Sequence, residues 1–248
     1  MCSSGQAVFG VVLCGGSSRR FGEGRSKLLE DVGGKQVIER TLAAFRQSSC
    51  VTHLGIVYPF QRSEEFLGEA RLGPLDFSVP GGETRQASVR NALAELKSRF
   101  DPDENSIVLV HDGARCLVSP SLIERVVEGA RRQNAVTAAL PMVASVKRVS
   151  PSGRVIESLN RSELVEVQTP QGFRFDLLWA AHQRFSESTS ATDDACLVEA
   201  MSEVFIVEGE RTNLKITTLS DLSVARSLVS DALPSDRDAL PFSSFSSS

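Results

Sequence analysis

The amino-acid sequence predicts an α/β fold of three layers, in which a mostly parallel β-sheet lies between two layers of helices. Short apolar runs rich in β-branched residues recur along the chain, and they alternate with stretches that carry apolar residues at helical spacing. Continuous apolar runs are typical of strands that are buried on both faces, as in parallel sheets. The chain of 248 residues is also long enough to bury a large core.

Five apolar runs are predicted to form strands of this sheet. They are Val8–Cys14, Leu54–Tyr58, Ser106–His111, Val136–Leu140 and Val204–Val207. The first run has the length of a signal-peptide core, but no basic residue precedes it and no small-residue cleavage site follows it. A buried first strand is therefore the better interpretation.

Helices are predicted between these strands from apolar spacing and from start signals. Stripes begin at Val37, Val89 and Leu122, and each repeats at three or four residues. Ser119 is the expected N-cap of the third of these helices, with Pro120 at its first position. The segment Thr218–Asp221 resembles a capping box and predicts a final helix.

One stretch, residues 142–169, shows no helical pattern. The segment Pro151–Gly153 is a turn signal between two strand-like runs, which indicates a hairpin that leaves the main sheet. Such an arm often serves dimerisation or covers a site, although an ordinary surface hairpin fits the pattern equally well. We expect residues 1–231 to form a single domain and residues 232–248, which are rich in serine, to form a flexible tail.

Composition excludes some classes of function. The 27 Lys and Arg residues face 31 Asp and Glu residues, a net charge of −4, so the basic field of a nucleic-acid-binding protein is absent. No apolar run has the length of roughly 18 residues that a membrane span needs. The five cysteines are scattered without metal-binding spacing, which favours free thiols in a reducing cytoplasm.

A glycine turn directly follows the first predicted strand. In Leu13–Gly22 and the residues after it, two glycines are followed by a cluster of cations, namely Arg19, Arg20, Arg25 and Lys27. Backbone N–H groups of such a turn can approach a phosphate closely. The pattern is neither a Walker A motif nor GxGxxG, and a solvated basic loop is the alternative interpretation.

Two further segments place polar groups at predicted strand ends. In Pro80–Arg90 a glycine turn opens a helix, and Arg85 and Ser88 could face a ligand, although a tight turn capped by Thr84 would also explain the glycines. A second segment, residues 108–115, ends a buried strand in Asp112.

Open α/β sheets bind ligands beyond the carboxyl ends of their strands, and Asp112 stands at such an end. Asp112 suits Mg²⁺, and Arg115 suits a phosphate group. His111 is interpreted as a packed, hydrogen-bonded histidine rather than a base, because the neighbouring aspartate already offers a sufficient role.

In this order, the segments resemble the 2-C-methyl-D-erythritol 4-phosphate cytidylyltransferases of the non-mevalonate isoprenoid pathway. The resemblance runs from about Val8 to Ala225. Its most specific parts are Gly15–Lys27, Val110–Arg115, Gln168–Gln171 and Asn213–Lys215. It implies a Rossmann-like nucleotidyltransferase domain with a protruding β-hairpin arm, a cytoplasmic enzyme, and a homodimer formed through that arm.

The resemblance also implies an activity and the residues that perform it. The enzyme would transfer CMP from CTP to 2-C-methyl-D-erythritol 4-phosphate with Mg²⁺ as cofactor, and neither a nucleic acid nor a membrane would be a partner. Catalytic roles fall on Arg20 and Lys27, and the metal falls on Asp112. The nucleotide would be bound by Gly15, Gly16, Ser17, Ser18, Gly81, Gly82, Ser88, Asp112 and Lys215. The polyol phosphate would be bound by Arg115, Ser145, Arg161, Thr192 and Lys215.

Several residues depart from the family pattern. Ser26 stands where proline is usual before the catalytic lysine, and Ala144 and Ser145 stand where Asp-Thr is usual. Asn160 and Thr212 replace acidic residues that some members carry. The departure at Ala144 and Ser145 leaves a ribitol-5-phosphate cytidylyltransferase as an alternative. A non-catalytic nucleotide-binding protein on the same scaffold is a second alternative, and it predicts the loss of Arg20, Lys27 or Asp112, all of which are present.

Overall fold

A computed structural model describes residues 6–15, 21, 26–185 and 191–230. In chain order the strands are β1 (Val8–Leu13), β2 (Asp31–Val32), β3 (Lys35–Gln36), β4 (His53–Tyr58), β5 (Phe77–Pro80), β6 (Ile107–Asp112), β7 (Ala135–Pro141), β8 (Lys147–Val149), β9 (Val155–Ser158), β10 (Val165–Arg174) and β11 (Phe205–Glu208). The α-helices are α1 (Val37–Gln47), α2 (Ser63–Glu69), α3 (Arg85–Phe100), α4 (Pro120–Gln133), α5 (Phe175–Arg184), α6 (Asp194–Glu199) and α7 (Leu219–Ser230). Among the described residues, no helix combines the length and apolar character that crossing a membrane requires.

Seven strands form the main sheet in the order β11-β7-β10-β6-β1-β4-β5. Strand β10 is antiparallel to both of its neighbours, and the other neighbouring strands are parallel. The predicted α/β class and mostly parallel sheet are therefore confirmed. Because β1, β4, β5 and β6 run in one direction, their carboxyl ends meet at one edge of the sheet.

Strand β1 shows how the sheet is covered on both faces. Val8 and Val12 belong to one hydrophobic cluster, which packs against α1 and α4. Phe9 and Val11 belong to a second cluster, which packs against α3 and α5. Alternate side chains of a strand point to opposite faces, so a continuously apolar strand here fills two cores. This arrangement is the three-layer one that the apolar runs predicted.

The helix starts follow the predicted capping residues. Ser119 Oγ accepts a hydrogen bond from Leu122 N at 3.0 Å, with Pro120 opening α4. Thr218 N donates to Asp221 Oδ2 at 2.8 Å, and Asp221 N donates back to Thr218 Oγ1 at 3.3 Å. Reciprocal bonds of this kind satisfy N–H groups that a helix leaves unpaired at its start.

Three features of the structure differ from the sequence expectations. The edge strand β5 was not predicted, because its four residues alternate in burial and include a proline. Strand β10 begins at Val165, inside the stretch assigned to the arm. Strands β8 and β9, by contrast, form the separate antiparallel pair that the turn signal at Pro151–Gly153 indicated. Cys50 is disulfide-bonded, so the expectation of free thiols was wrong for this residue. Cys14, Cys116 and Cys196 are free.

Candidate active site

The candidate site lies at the edge where the parallel strands end. Asp112 is the last residue of β6 and lies opposite Leu13, the last residue of β1. The main chain continues from β6 close to this strand end, since Gly113 N donates to Leu13 O at 2.9 Å. A Cβ atom at position 113 would lie only 2.9 Å from the same oxygen. Glycine at this position therefore allows the close approach.

Three cationic side chains surround the Asp112 carboxylate. Lys215 Nζ lies 2.8 Å from Oδ2, and Arg115 Nε lies 3.7 Å from the same oxygen. Arg85 Nε lies 3.9 Å from Oδ1. Burial by itself raises the pKa of Asp112, but the charges of Lys215, Arg85 and Arg115 outweigh burial and lower that pKa to about 2. The carboxylate is therefore ionised at neutral pH.

A buried asparagine anchors the loop that carries Lys215. Asn213 is completely buried, and its Nδ2 donates to Thr169 O at 2.8 Å and to Gln168 Oε1 at 3.2 Å. Its main-chain oxygen accepts a hydrogen bond from Arg115 Nη1 at 2.8 Å. One residue thus connects β10 with two of the three cations. The Asn213–Lys215 and Gln168–Gln171 segments, which are far apart in sequence, meet here.

His111 lies buried directly below the site. Its Nδ1 is 3.0 Å from Thr169 Oγ1, and its Nε2 is 3.3 Å from Arg115 O. Burial lowers the pKa of His111 to about 4, so the imidazole is neutral at pH 7. These contacts agree with the interpretation of His111 as a packed, hydrogen-bonded histidine.

The glycine turn before α3 is closed by its own polar groups. Ser88 Oγ accepts a hydrogen bond from Gly82 N at 3.0 Å and donates one to Thr84 O at 2.9 Å. Thr84 Oγ1 caps the helix by accepting from Ala87 N at 3.0 Å. A Cβ atom at position 82 would lie 2.4 Å from the Ala87 Cβ, which requires glycine there. The Ser88 hydroxyl therefore shapes the turn that we expected to surround the nucleotide.

A carboxylate that was not among the predicted site residues lies behind this turn. Asp194 is completely buried, and its Oδ2 accepts Arg85 Nη1 at 2.6 Å while its Oδ1 accepts His182 Nε2 at 3.0 Å. Burial raises the pKa of Asp194, but the Arg85 charge and the His182 hydrogen bond outweigh burial and lower the pKa below its usual range. In the sequence Asp194 is one of two adjacent aspartates near a helix start, and this position does not indicate burial.

No hydrogen bond or ion pair in the described part of the chain joins the other residues assigned to the polyol phosphate to Asp112. Ser145 and Arg161 belong to the hairpin region and are exposed, and Arg161 Nη1 donates to Val143 O at 2.8 Å. Thr192 is exposed and lies two residues before Asp194. Within the described residues, therefore, the structure joins Arg115 and Lys215 to the Asp112 cluster, but not Ser145 or Arg161.

The glycine loop after β1 is described only in part. Gly15 is exposed at the end of β1, and Lys27 is half-buried beside the buried Leu28. Gly16, Ser17, Ser18 and Arg20 lie outside the described residues, as does the predicted tail at 232–248.

The donor set at Asp112 fits magnesium but not a metal held by protein alone. No group of three or more His, Cys, Asp or Glu side chains suited to a metal occurs in the described part of the chain. Mg²⁺ is commonly bound through one or two carboxylates together with substrate phosphates and water. A single ionised carboxylate beside cationic side chains matches that mode.

One protein-family model matches nearly the whole chain. The family model for 2-C-methyl-D-erythritol 4-phosphate cytidylyltransferase matches residues 8–231. A protein of that name from Synechococcus elongatus is 40% identical over 223 residues, which cover 87% of this chain and 93% of the relative. One from Gloeobacter violaceus is 38% identical over 233 residues, covering 91% and 97%.

Solved structures agree with this description. The crystal structure of 2-C-methyl-D-erythritol 4-phosphate cytidylyltransferase from Thermus thermophilus is 33% identical, with a TM-score of 0.68 over 89% of this chain and 98% of that one. The 4-diphosphocytidyl-2C-methyl-D-erythritol synthase from Anaerococcus prevotii is 26% identical, with a TM-score of 0.76 over 91% and 99%.

Proposed function

The chain belongs to the 2-C-methyl-D-erythritol 4-phosphate cytidylyltransferase family, and we propose that the edge around Asp112 transfers CMP from CTP to 2-C-methyl-D-erythritol 4-phosphate. The products are 4-diphosphocytidyl-2-C-methyl-D-erythritol, a precursor in isoprenoid biosynthesis, and pyrophosphate. The observation that carries this proposal is the cluster of Lys215, Arg115 and Arg85 around the ionised Asp112. Such a cluster suits two phosphate-bearing substrates and a divalent cation.

The reaction joins two anions at one phosphorus atom. A phosphate oxygen of the polyol phosphate forms a bond to the α-phosphorus of CTP, and the bond from that phosphorus to the bridging oxygen of pyrophosphate breaks. The attacking oxygen is already ionised, so no general base is needed. The neutral, fully hydrogen-bonded His111 is consistent with this chemistry. Catalysis then depends on positioning and on stabilisation of negative charge.

The site residues divide between the two substrates. Lys27 and Arg20 stabilise the charge at the α-phosphorus and on the leaving pyrophosphate. The nucleotide is held by backbone and hydroxyl groups of Gly15, Gly16, Ser17, Ser18, Gly81, Gly82 and Ser88, together with Asp112 and with Lys215, which serves both substrates. The polyol phosphate is held by Arg115, Lys215, Arg161, Ser145 and Thr192. Support for this division comes from the Asp112 cluster and from the glycine turn at the start of α3.

Asp112 is the residue that would hold Mg²⁺. When bound, the ion neutralises charge on the α-phosphate and the leaving group. The ionised carboxylate at the end of β6 supports this assignment, because its pKa of about 2 keeps it available at neutral pH.

A homodimer formed through the hairpin is part of the proposal, as is a cytoplasmic location. Val149, Val155 and Ile156 of β8 and β9 expose between 54% and 57% of their surface. Exposed apolar side chains grouped in this way are typical of protein interfaces. Since no hydrogen bond or ion pair joins Arg161 to Asp112 within the described part of this chain, we infer that Arg161 meets substrate in a partner's site.

The proposed function is tested by supplying the purified protein with CTP, Mg²⁺ and one polyol phosphate while pyrophosphate release is measured. We expect release with 2-C-methyl-D-erythritol 4-phosphate and little with ribitol 5-phosphate. A preference for ribitol 5-phosphate would establish the ribitol-5-phosphate alternative instead. No release with either acceptor would favour a non-catalytic nucleotide-binding protein.

A lysine variant shows whether the turnover comes from this site. Lys27→Ala should lower turnover by about 10²- to 10³-fold, the usual effect of losing one group that stabilises transition-state charge. Lys35→Ala, at an exposed position in β3, is the matched control and should keep wild-type turnover. Equal turnover in the two variants would remove Lys27 from its assigned role.

A further inference from the structure

The Arg85 guanidinium lies between two carboxylates and is bonded to only one of them. Its Nη1 is 2.6 Å from Asp194 Oδ2, whereas its Nε is 3.9 Å from Asp112 Oδ1. The second distance exceeds that of a hydrogen bond. The buried Nη2 atom has no hydrogen-bond partner within the described residues. Arg85 therefore makes no bidentate hydrogen bond to Asp112, although its Nη2 has no hydrogen-bond partner among the described residues.

Of the two carboxylates, the buried Asp194 is held by more hydrogen bonds to its surroundings. Asp194 exposes 1% of its side chain, against 14% for Asp112. Its second oxygen accepts from His182, and its main-chain N–H donates to Gln171 Oε1 at 3.2 Å. Burying a carboxylate this completely is costly unless it is paired and hydrogen-bonded. Asp194 therefore holds Arg85 in one position, away from the site edge.

Arg115 is held in the same way on the other side of Asp112. Its Nη1 donates to Asn213 O at 2.8 Å, while its Nε remains 3.7 Å from the Asp112 carboxylate and has no hydrogen-bond partner within the described residues. Both arginines thus bond to an acceptor behind the site and stop short of Asp112. Among these three cations, only Lys215 is within hydrogen-bond distance of the carboxylate, and its side chain is 42% exposed.

We propose that Asp194 is a positioning residue that acts through Arg85, holding the guanidinium away from Asp112 so that this carboxylate stays available to a divalent cation. The inference rests on the proposed function, because that function assigns the cation to Asp112. It concerns a residue that does not touch the substrates or the ion. An arginine bonded to both oxygens of Asp112 would compete directly with the ion for its ligand.

Loss of the Asp194 charge should release Arg85 toward the site. Asp193 also lies near Arg85, but its Oδ1 already caps α6 through Cys196 N and its Oδ2 accepts from Gln171. The carboxylate left for Arg85 is therefore Asp112. In the Asp194→Asn variant the side chain keeps its shape but loses its charge, and its single remaining oxygen can serve only one of Arg85 and His182. The restraint on the guanidinium is therefore weakened.

The experiment measures the Kd for CTP by calorimetry on the full chain over a series of Mg²⁺ concentrations, with no acceptor present. In Asp194→Asn, the Mg²⁺ concentration needed for tight CTP binding should rise about tenfold or more, the usual scale for residues behind a metal ligand. In Asp194→Asn with Arg85→Ala, it should return to the value of Arg85→Ala alone. Removal of the arginine then suppresses the effect of the asparagine, which a loss of local structure would not do.

Two controls keep the outcome decisive. Asp176→Asn removes an exposed aspartate that pairs with Arg174 at 2.8 Å, and it should leave the Mg²⁺ dependence unchanged. If Asp194→Asn does not fold, Arg85→Ala alone still tests the inference. This variant should bind CTP more weakly, because a cation of the cluster is lost, but the Mg²⁺ concentration at which CTP binding is half-enhanced should be no higher than in the wild type. Three results would each overturn the inference. The first is an unchanged Mg²⁺ dependence of CTP binding in folded Asp194→Asn. The others are additive losses of CTP affinity in the double variant, or a higher Mg²⁺ concentration needed by Arg85→Ala. Failure of the wild type to bind CTP would instead contradict the proposed function.

Discussion

Lys215 Nζ lies 2.8 Å from Asp112 Oδ2, although the two residues are more than a hundred positions apart in the chain. The lysine follows the last strand of the sheet, and the aspartate ends a central one. The buried Asn213 supports this contact, because it fixes the loop that carries Lys215 against β10. The proposed substrate-binding cation and the proposed metal ligand are thus placed together by segments that follow non-neighbouring strands.

Replacing Asp112 should separate nucleotide binding from turnover. Asp112→Asn removes the negative charge that balances Lys215, Arg115 and Arg85, so these cations become free to attract a triphosphate. We expect calorimetry without divalent metal to show CTP binding at least as tight as in the wild type. Pyrophosphate release with Mg²⁺ should fall by about 10²-fold or more, because the proposed metal ligand is lost. Near-normal turnover would contradict the metal assignment.

Removing the loop anchor should affect both stability and binding of the acceptor. Asn213→Ala deletes two buried hydrogen bonds and removes the Asn213 donor from Thr169 O, whereas Gln168 Oε1 keeps its bond from Glu210 N at 3.1 Å. Urea denaturation should show a loss of about 2 kcal/mol in the free energy of unfolding. The KM for the polyol phosphate should rise because Lys215 is no longer fixed.

The exposed Asn105 provides the comparison for this variant. Asn105→Ala should change neither the free energy of unfolding nor the KM. If the two alanine variants behaved alike, the anchoring role of Asn213 would be wrong.

The buried His111 should make folding stability depend on pH. Its folded pKa of about 4 lies below the value of about 6.5 expected for an unfolded histidine. Between these two values the unfolded chain binds a proton and the folded protein does not, so stability falls as the pH decreases from 6.5 toward 4. For this one residue the loss between pH 6.5 and 5 is about 1.5 kcal/mol.

The measurement is urea denaturation at pH 6.5 and 5 for the wild type and His111→Gln. The variant is expected to be less stable at pH 6.5, because bonds to Thr169 and Arg115 O are altered. Its stability should nevertheless change less between the two pH values. An equal pH dependence in both proteins would show that His111 titrates normally.

A charge on the hairpin should dissociate the proposed dimer. Ile156→Lys places an ammonium group in the exposed apolar surface of β9, where a partner would have to desolvate it. Sedimentation analysis should show a dimer for the wild type and a monomer for the variant, with lower turnover since Arg161 would lose its partner site. Val224→Lys in α7, at a residue that is 51% exposed, should remain dimeric. A monomeric wild type would end the dimer proposal.

The three-layer fold could be predicted because it depends on local patterns. The apolar runs of β1 and β6 are buried on both faces, and a run of that kind has few other places in a water-soluble fold. Ser119 and Thr218 mark helix starts through hydrogen bonds that span only three residues. Strand β5 escaped prediction because four alternating residues at a sheet edge resemble many loops.

By itself, the sequence determined the fold class, the family and the chemical character of the site, because glycine turns and residues at strand ends are local signals. Only the tertiary structure decided which charges meet. It joined Asp112 to Lys215, engaged the Ser88 hydroxyl within its own turn, and revealed Asp194 as the buried partner of Arg85. The physical reason is that burial and pairing of a charge depend on what distant segments pack against it, and a position in the chain does not encode that directly.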